Sequence, residues 1–317
     1  MMQKVRISDA LRGLLINAPK GPNLACPKAS LCGAKSPGNA ILWRDTLAHR
    51  RDRITLVSWN GMQLVSLASA RTRAGYRVWE IDHLYMAGES ASPGANGQAP
   101  ESPSNPVFLE LLEDMVQEAG SRQGQRVVLR LPSDSPIFPI ARRGGFFPYY
   151  EEILLEAAPE ILGRNGSAGT PVGEARLPHD DYALFQLFCA ATPQQVRVGL
   201  GLTFDQWKDA LEPSCRGLQE WIIRHDDRIS GWLRLQSHQG VREGTIMVHP
   251  DHPENLEALV DLALSFQGPH RWLLPVYREA GTQLLLRQGF HEIARYTVLI
   301  KTLAAPVFSH GMAAVEA

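Results

Sequence analysis

Apolar and polar positions along residues 45–156 follow an order that predicts strands first and helices later. Runs rich in β-branched and aromatic residues indicate strands, whereas apolar residues recurring every three or four positions indicate helices. The predicted strands are 54–61, 62–71, 76–86, 126–131 and 149–156, and the predicted helices are 106–120 and 136–143. The first half of the chain is therefore predicted to be α/β.

Residues 176–303 repeat the same order of elements. Helices are predicted at 181–191, 204–211, 254–266 and 278–287, and strands at 218–225, 229–238, 245–248, 271–276 and 293–302. A shift of about 144 residues superposes one apolar helix face from each half. The two faces are Leu112, Met115, Val116 and Ala119, and Leu256, Leu259, Val260 and Ala263. Two domains of one plan are predicted.

Three stretches rich in Gly, Pro, Ser and Ala interrupt these patterns. Residues 87–106 contain no large apolar residue and are predicted to form a mobile loop. Residues 157–175 are predicted to link an N-terminal domain, 1–156, to a C-terminal domain, 176–317. The turn-rich segment 17–40 is predicted to be loosely ordered.

Composition narrows the classes of partner. A net charge of −1 gives no electrostatic reason to expect a nucleic acid or an anionic membrane as partner. No run of about 18 apolar residues is present. The N-terminus also lacks the continuous apolar core of a signal peptide. A cytoplasmic protein is therefore predicted.

Cysteine and histidine spacings give little support to a metal site. Cys26 and Cys32 are spaced C-x5-C without a nearby second pair, which is a poor zinc spacing. Free thiols are predicted, and a disulfide between these two cysteines is the alternative. His249 and His252 would need further ligands from elsewhere. No metal is predicted.

The order strand, strand, strand, helix, strand, short helix ending in Gly-Phe, strand resembles the core of the GNAT (N-acetyltransferase) superfamily. LLLRQGF (284–290) is similar to the helix-to-turn signature that closes this fold, and IARRGGF (140–146) is its weaker copy. ATPQQVRVGLGLTFDQWK (191–208) resembles the first-helix region of tandem members. The resemblance implies an α/β (α+β) fold of two tandem domains, each a mixed, mostly antiparallel sheet flanked by helices.

The resemblance also implies acetyl-CoA as cofactor and an amine or other small molecule as acceptor. In the family, a glycine-rich loop after the fourth strand binds the pyrophosphate, and the splayed strand pairs with the pantetheine arm. VHPDHPENLEALV (248–260) stands at that loop in the second half without glycine or arginine, and it carries Asp251, Glu254 and Glu257. Side chains would screen the backbone donors there. The second half is therefore predicted to bind no CoA, and its helix to serve packing.

The first half is the better candidate for the cofactor. The end of its predicted strand 76–86 matches the position that pairs with pantetheine, which implicates Leu84, Tyr85 and Met86. Arg142 and Arg143 on the predicted short helix are candidates for a phosphate partner. A solvated surface is the alternative role for both arginines.

Catalytic residues of the family are only partly matched. Glu80, with Asp82 on the same strand face, stands where the family places its catalytic base. A salt-bridged structural carboxylate is the alternative for Glu80, and His83 on the other face is predicted to be a core histidine. Leu285 and Ala141 replace the tyrosine that the family uses as general acid.

Two functions remain open at this point. The chain is either an acyltransferase that moves an acetyl group from acetyl-CoA to an amine, with the first half active, or a catalytically inactive GNAT-fold binding or scaffold protein. The missing loops favour the second, and the fold resemblance favours the first. The sequence identifies neither the acceptor nor the oligomeric state.

Overall fold

The computed structural model describes most of the predicted elements. The described residues are 3–16, 19, 21–34, 38, 40–48, 52–87, 105–157, 173–213 and 217–303. The predicted mobile loop, 87–106, and the predicted linker, 157–175, lie almost entirely outside these residues. The mobility of that loop and the domain boundary therefore stay predictions.

The first half contains the predicted elements with small shifts at their ends, preceded by elements that the pattern did not predict. The added elements are β1 (Gln3–Lys4), α1 (Ile7–Ile16), α2 (Lys28–Leu31) and α3 (Ala40–Ala48). The predicted ones are β2 (Arg53–Asn60), β3 (Gln63–Thr72), β4 (Val78–Met86), α4 (Asn105–Ser121), β5 (Arg126–Pro132), α5 (Phe138–Arg143) and β6 (Phe147–Ala157). All nine residues of β4 are buried, as expected for a strand covered on both faces.

The second half follows the same plan. It begins with β7 (Glu174–Ala175), α6 (Asp181–Ala191), α7 (Gln194–Leu200) and α8 (Phe204–Ala210). It continues with β8 (Gln219–His225), β9 (Arg228–His238), β10 (Val241–Val248), α9 (Asn255–Leu264), β11 (Arg271–Pro275), α10 (Glu279–Arg287) and β12 (Phe290–Thr302). In α9, Leu259, Val260 and Ala263 are buried and Leu256 is partly buried, so the predicted packing face is confirmed.

The two halves exchange their final strands. The large sheet has the order β1-β2-β3-β4-β5-β12-β6-β11, so β12 lies between β5 and β6. Its residue Leu299 pairs with Leu129 of β5 on one side and with Pro148 of β6 on the other. Reciprocally, β6 pairs with β11 of the second half. Each half is thus completed by the last strand of the other.

The predicted fold class is confirmed, because both sheets are flanked by helices and the large sheet is mixed. Its pairs are antiparallel except β4 with β5. The second sheet, β10-β9-β8-β7, is antiparallel. Helix α4 covers the large sheet with Phe108, Leu111 and Met115, whose side chains are fully buried.

Each half contains one place where neighbouring parallel strands separate. In the first half, β4 and β5 pair only from Val78 to Ile81 and from Arg126 to Leu129, and then diverge. In the second half, β10 and β11 are joined by a single bridge between Arg242 and His270. A strand edge that separates in this way leaves backbone donors and acceptors that need other partners. The two gaps are called here the first groove and the second groove.

Candidate ligand site between the two halves

The first groove is filled by residues 23–26 of the same chain. The Asn23 side chain donates to Asp82 O (2.9 Å) and accepts from Leu84 N (2.8 Å), as a peptide unit of a neighbouring strand would. Leu24 N donates to Leu84 O, and Cys26 N donates to Arg130 O at 3.0 Å. The segment therefore bridges β4 and β5. The expectation of loose order for residues 17–40 is wrong for this part, because tertiary hydrogen bonds fix it.

This insertion decides the surroundings of the residues predicted to bind the cofactor. The backbone N–H and C=O of Leu84 are both bonded to the inserted segment. The side chains of Leu84, Tyr85 and Met86 are buried, and Tyr85 packs in a cluster with Ala10 and Leu42. In this arrangement β4 has no free backbone edge at Leu84 for a pantetheine arm.

The predicted phosphate partners lie elsewhere. Arg142 and Arg143 are exposed at the C-terminal end of α5. Neither forms an ion pair among the described residues. Their predicted role stays a prediction, since the loop before α4 is outside the described part of the chain.

The second groove is filled by a side chain. Arg278, which follows β11, donates through Nη1 to Ile246 O of β10. At the junction between β10 and α9, the backbone N–H groups of Asp251, His252 and Asn255 donate hydrogen bonds to partners within the turn. These amides are therefore already satisfied, in addition to being surrounded by side chains rather than glycines. The group implied by the fold family does not fit either groove in this arrangement.

The predicted catalytic carboxylates are both buried and held by arginines. Glu80, only 1% exposed, lies 3.1 Å from Arg71, 3.2 Å from Arg73 and 3.5 Å from Arg130. Asp82 accepts two hydrogen bonds from Arg53, at 2.9 and 2.7 Å. Both residues stay predictions as catalytic groups. Their geometry is that of ion-paired structural carboxylates.

The ionisation of Asp82 bears on its predicted role. Burial by itself would raise the pKa of this carboxyl, but the His83 ring 2.9 Å away and the Arg53 guanidinium outweigh burial. The pKa is therefore held below its usual range. A general base works best with a pKa near the operating pH. A carboxylate stabilised in this way is a weak base.

A cavity lies where the two halves meet. It has a volume of about 140 Å³, and an adjoining one of about 200 Å³ shares part of its wall. Residues from both halves line it, from α2 through the segment after β11. Its apolar wall is formed by Phe188, Leu200, Trp207, Trp232 and Met247. Its charged wall is formed by Lys28, Arg73, Arg130, Glu152, Glu212, Arg234, Glu243 and Arg278.

Ion pairs between residues of the two halves form part of the wall of this cavity. Glu212 lies 3.1 Å from Arg73 and 3.5 Å from Arg130, and Arg130 also pairs with Glu152 at 2.6 Å. Burial would raise the pKa of Glu212, but the guanidinium groups of Arg73 and Arg130 outweigh it and lower the pKa. Beneath them, Glu80 contacts the same two arginines. These carboxylates orient guanidinium groups toward the cavity.

A second ion pair ties the N-terminal segment to the second half. Lys28 Nζ lies 2.6 Å from Glu243 and donates to Thr245 Oγ1 at 2.8 Å. Burial acts to raise the pKa of Glu243, but Lys28 and hydrogen bonds from His238 and Gln236 lower it to about 2. The segment that fills the first groove is thus anchored to β10 as well.

Two tyrosines at the cavity were not singled out by sequence reasoning. Tyr150 and Tyr277 meet edge to face, with ring centroids 6.0 Å apart. Burial raises the pKa of both phenols, and for Tyr150 the nearby Glu152 adds to the increase. Both are therefore hydrogen-bond donors at neutral pH. The run LPVYRE (274–279), a strand followed by polar residues, was the only local signal for the second.

The part of the chain that the structure describes contains no group of three or more His, Cys, Asp or Glu placed to hold a metal ion. His249 and His252 have ring centroids 6.0 Å apart. Cys26, Cys32 and Cys189 are free thiols, so the disulfide alternative is excluded. Among the described residues, no helix combines the length and apolar character that crossing a membrane requires.

Comparison with known proteins gives the fold. No protein-family model matches the sequence, and no curated protein matches it either. A GCN5-related N-acetyltransferase from Sphaerobacter thermophilus has a similar structure, with a TM-score of 0.53, 16% identity and 95% of both chains covered. A tandem GNAT protein from the clavulanic acid biosynthesis pathway, solved without acetyl-CoA, has a TM-score of 0.51 and 13% identity. The match covers 95% of this chain and 98% of that one. At these identities the likeness shows a tandem GNAT fold.

Proposed function

We propose that this tandem GNAT-fold chain is a small-molecule binding protein that works without acetyl-CoA. The observation that carries the proposal is the state of the two grooves. Residues 23–26 occupy the first, and Arg278 bonds to β10 in the second. In both places a protein group satisfies the backbone that a pantetheine arm would use in the family. The cavity between the halves remains as the binding site.

Electrostatics support the same proposal for the second half. Asp251, Glu254 and Glu257 surround the start of α9, and no Lys or Arg lies between Val248 and Arg271. Unit charges about 4 Å apart interact by about 4 kcal/mol at the dielectric of a protein surface. A diphosphate placed there would meet repulsion without an offsetting cation.

Calorimetric titration with acetyl-CoA and with CoA tests the proposal directly. We expect no binding tighter than the millimolar range, because displacing either occupant leaves buried backbone groups to be paired again. Asn23→Ala and Arg278→Ala serve as the matched pair of variants, each opening one groove. A micromolar affinity of the unmodified protein for acetyl-CoA or CoA would overturn the proposal, and tighter binding in one of the two variants would identify the groove that binds.

The second candidate is an N-acetyltransferase that transfers acetyl from acetyl-CoA to an amine, with Glu80 or Asp82 as base. The tandem GNAT fold favours it. This candidate requires residues 23–26 to leave the first groove before the cofactor binds. A transfer assay over a panel of amines tests it, with Glu80→Gln expected to abolish turnover. Absence of thioester cleavage with every amine, in protein shown to be folded, removes this candidate.

The remaining assignments follow from composition and contacts. The partner is proposed to be a small molecule, without a nucleic acid or membrane partner, because the net charge is −1 and most of the charged cavity residues are buried. A cytoplasmic location is proposed from the three free thiols, since oxidising compartments favour disulfides. No metal cofactor is proposed.

A further inference from the structure

The basic residues of the cavity between the halves outnumber the carboxylates that neutralise them. Three of the five have acidic partners: Lys28 with Glu243, Arg73 with Glu212, and Arg130 with Glu152. The other two, Arg234 and Arg278, have no carboxylate within 4.0 Å among the described residues. The cavity therefore presents two guanidinium groups whose charge is not balanced by a carboxylate of the described residues.

Arg234 is the more exceptional of the two because it is only 8% exposed. Within the described part of the chain, its terminal nitrogens have only long contacts, of 3.4–3.5 Å, with the Glu212 carbonyl and the Gln236 side chain. Its Nε is buried and has no partner among the described residues. A guanidinium keeps its charge in proteins, and a buried charge without a counter-charge is costly. This side chain lines both adjoining cavities, and no carboxylate of the described residues pairs with it.

Arg278 lines the same cavity from the segment after β11. It donates one N–H to Ile246 O, and its guanidinium carbon lies 5.8 Å from the Tyr277 ring centroid. Its Nε also has no partner within the described residues. One guanidinium group comes from strand β9 and the other from the segment after β11. Their position in one cavity is a long-range consequence of the fold.

We infer that this cavity binds a small monocarboxylate with an aromatic or other apolar body, and that Arg234 and Arg278 bind its carboxylate. The inference rests on the proposed binding role and names the ligand class of that site. Guanidinium groups match a carboxylate in a planar, two-bond geometry. Trp207, Trp232 and Met247 provide the apolar wall for the body.

The volume of the cavity and its wall narrow the class of ligand further. Volumes of about 140 and 200 Å³ are each below the roughly 300 Å³ at which pockets for drug-sized ligands begin, so a ligand held in either cavity is small. An organic acid also gains apolar contacts with Trp207, Trp232 and Met247 that inorganic phosphate cannot make. A singly charged acid is therefore favoured over inorganic phosphate.

Calorimetry and thermal unfolding of the full chain with phenylacetate, phenylacetamide and inorganic phosphate test this inference. We expect phenylacetate to bind with a Kd below about 1 mM and to raise the melting temperature. Phenylacetamide, which has the same shape without the charge, is expected to bind about tenfold more weakly or worse. Phosphate is expected to be weaker than phenylacetate. Equal binding of acid and amide, or tighter binding of phosphate, would overturn the inference.

Substitutions separate ligand binding from a structural role. Arg234→Met and Arg278→Met are each expected to weaken phenylacetate binding about tenfold or more, whereas Arg228→Met, at an exposed position of the same strand β9, is not. Without ligand, Arg234→Met is expected to melt no lower than the unmodified protein, because it removes an unbalanced buried charge. A lower melting temperature with unchanged phenylacetate affinity contradicts the inference. If Arg234→Met does not fold, Arg278→Met and the comparison of phenylacetate with phenylacetamide still test the inference.

A parallel titration with acetyl-CoA keeps the two proposals separate. Binding of phenylacetate together with binding of acetyl-CoA would overturn the proposed function and leave this inference standing. If neither phenylacetate nor acetyl-CoA binds, the inference about the ligand is overturned and the proposed function is not.

Discussion

Charged side chains buried at the boundary between the halves are the main feature at the scale of single residues. Glu80, Arg73, Arg130, Glu152 and Glu212 alternate in sign, so every charge has an opposite neighbour. Breaking a buried pair by removing one partner is strongly destabilising, because the other charge is left unpaired. These residues therefore make stability depend on each member of the network.

Glu80→Gln is expected to lower the free energy of unfolding by about 3 kcal/mol or more, because three arginines lose a charged partner in a site that is 1% exposed. Urea denaturation measures the change. Glu257→Gln, at an exposed position of α9, is the control and should be neutral within about 0.5 kcal/mol. If the Glu80 variant is as stable as the control, the structural role assigned here is wrong.

Glu243 is expected to make the stability of the folded protein depend on pH. Its pKa in the folded protein, about 2, is below the ordinary 4.5, so its contribution is present above about pH 4.5 and is lost as pH falls toward 2. A pKa difference of this size corresponds to about 3 kcal/mol. The stability gap between the unmodified protein and Glu243→Gln should therefore shrink by about that amount between pH 5 and pH 2. Denaturant titrations at several pH values measure the gap, and a constant gap would contradict the assignment.

At the scale of elements, two places depend on close approach between strands or segments. Asn23→Ala removes hydrogen bonds to Asp82 O and from Leu84 N and Ala25 N. We expect a loss of about 1–3 kcal/mol and faster hydrogen exchange at the Leu84 amide. Exchange measured residue by residue tests this. Asn60→Ala, at an exposed position, is the control and should leave the Leu84 amide protected from exchange. If exchange at Leu84 is unchanged in both variants, Asn23 is not what protects this amide.

Contact between β10 and β11 depends on Gly244. A Cβ there would lie 2.2 Å from the ring of Trp272, which is fully buried, so Gly244→Ala is expected to cost about 3 kcal/mol. Gly281→Ala in α10 is the matched control, since its nearest atoms lie 3.9 Å away. The control should be neutral or stabilising by up to about 1 kcal/mol. Equal melting temperatures for the two variants would argue against this packing.

Elements were predictable from the sequence where their pattern is local. The strand-like run of β9 and the helical spacing of Leu259, Val260 and Ala263 indicated a strand and a helix without reference to the rest of the chain. The insertion at Asn23 was not predictable, because proline and glycine nearby indicate a loop and the partners lie about 60 residues away. The cavity arginines were missed for the same reason. Arg234 occurs within a run that indicates only a strand, and the fold brings it into one cavity with Arg278.

At the scale of the whole molecule, strand exchange makes each half depend on the other. A chain cleaved within residues 158–172 is expected to remain one particle in size-exclusion chromatography, because β12 is bonded on both sides by first-half strands. Expressed alone, residues 1–157 should lack a cooperative unfolding transition, and mixing with the second fragment should restore it. Limited proteolysis, predicted to cut first within 87–106 and 157–175, offers a way to prepare the cleaved chain. Cooperative unfolding of the first fragment alone would contradict this dependence.

The position of β12 between β5 and β6 also has a consequence for synthesis. Residues 147–157 of β6 leave the ribosome well before residues 290–302 of β12, with 132 residues between them. At cellular elongation rates this delay is on the order of ten seconds. During that time the nascent first half has two open strand edges facing each other, and such edges are prone to pair with other chains. Translation speed and chaperone supply are therefore expected to control the yield of this protein more than the stability of its finished fold does.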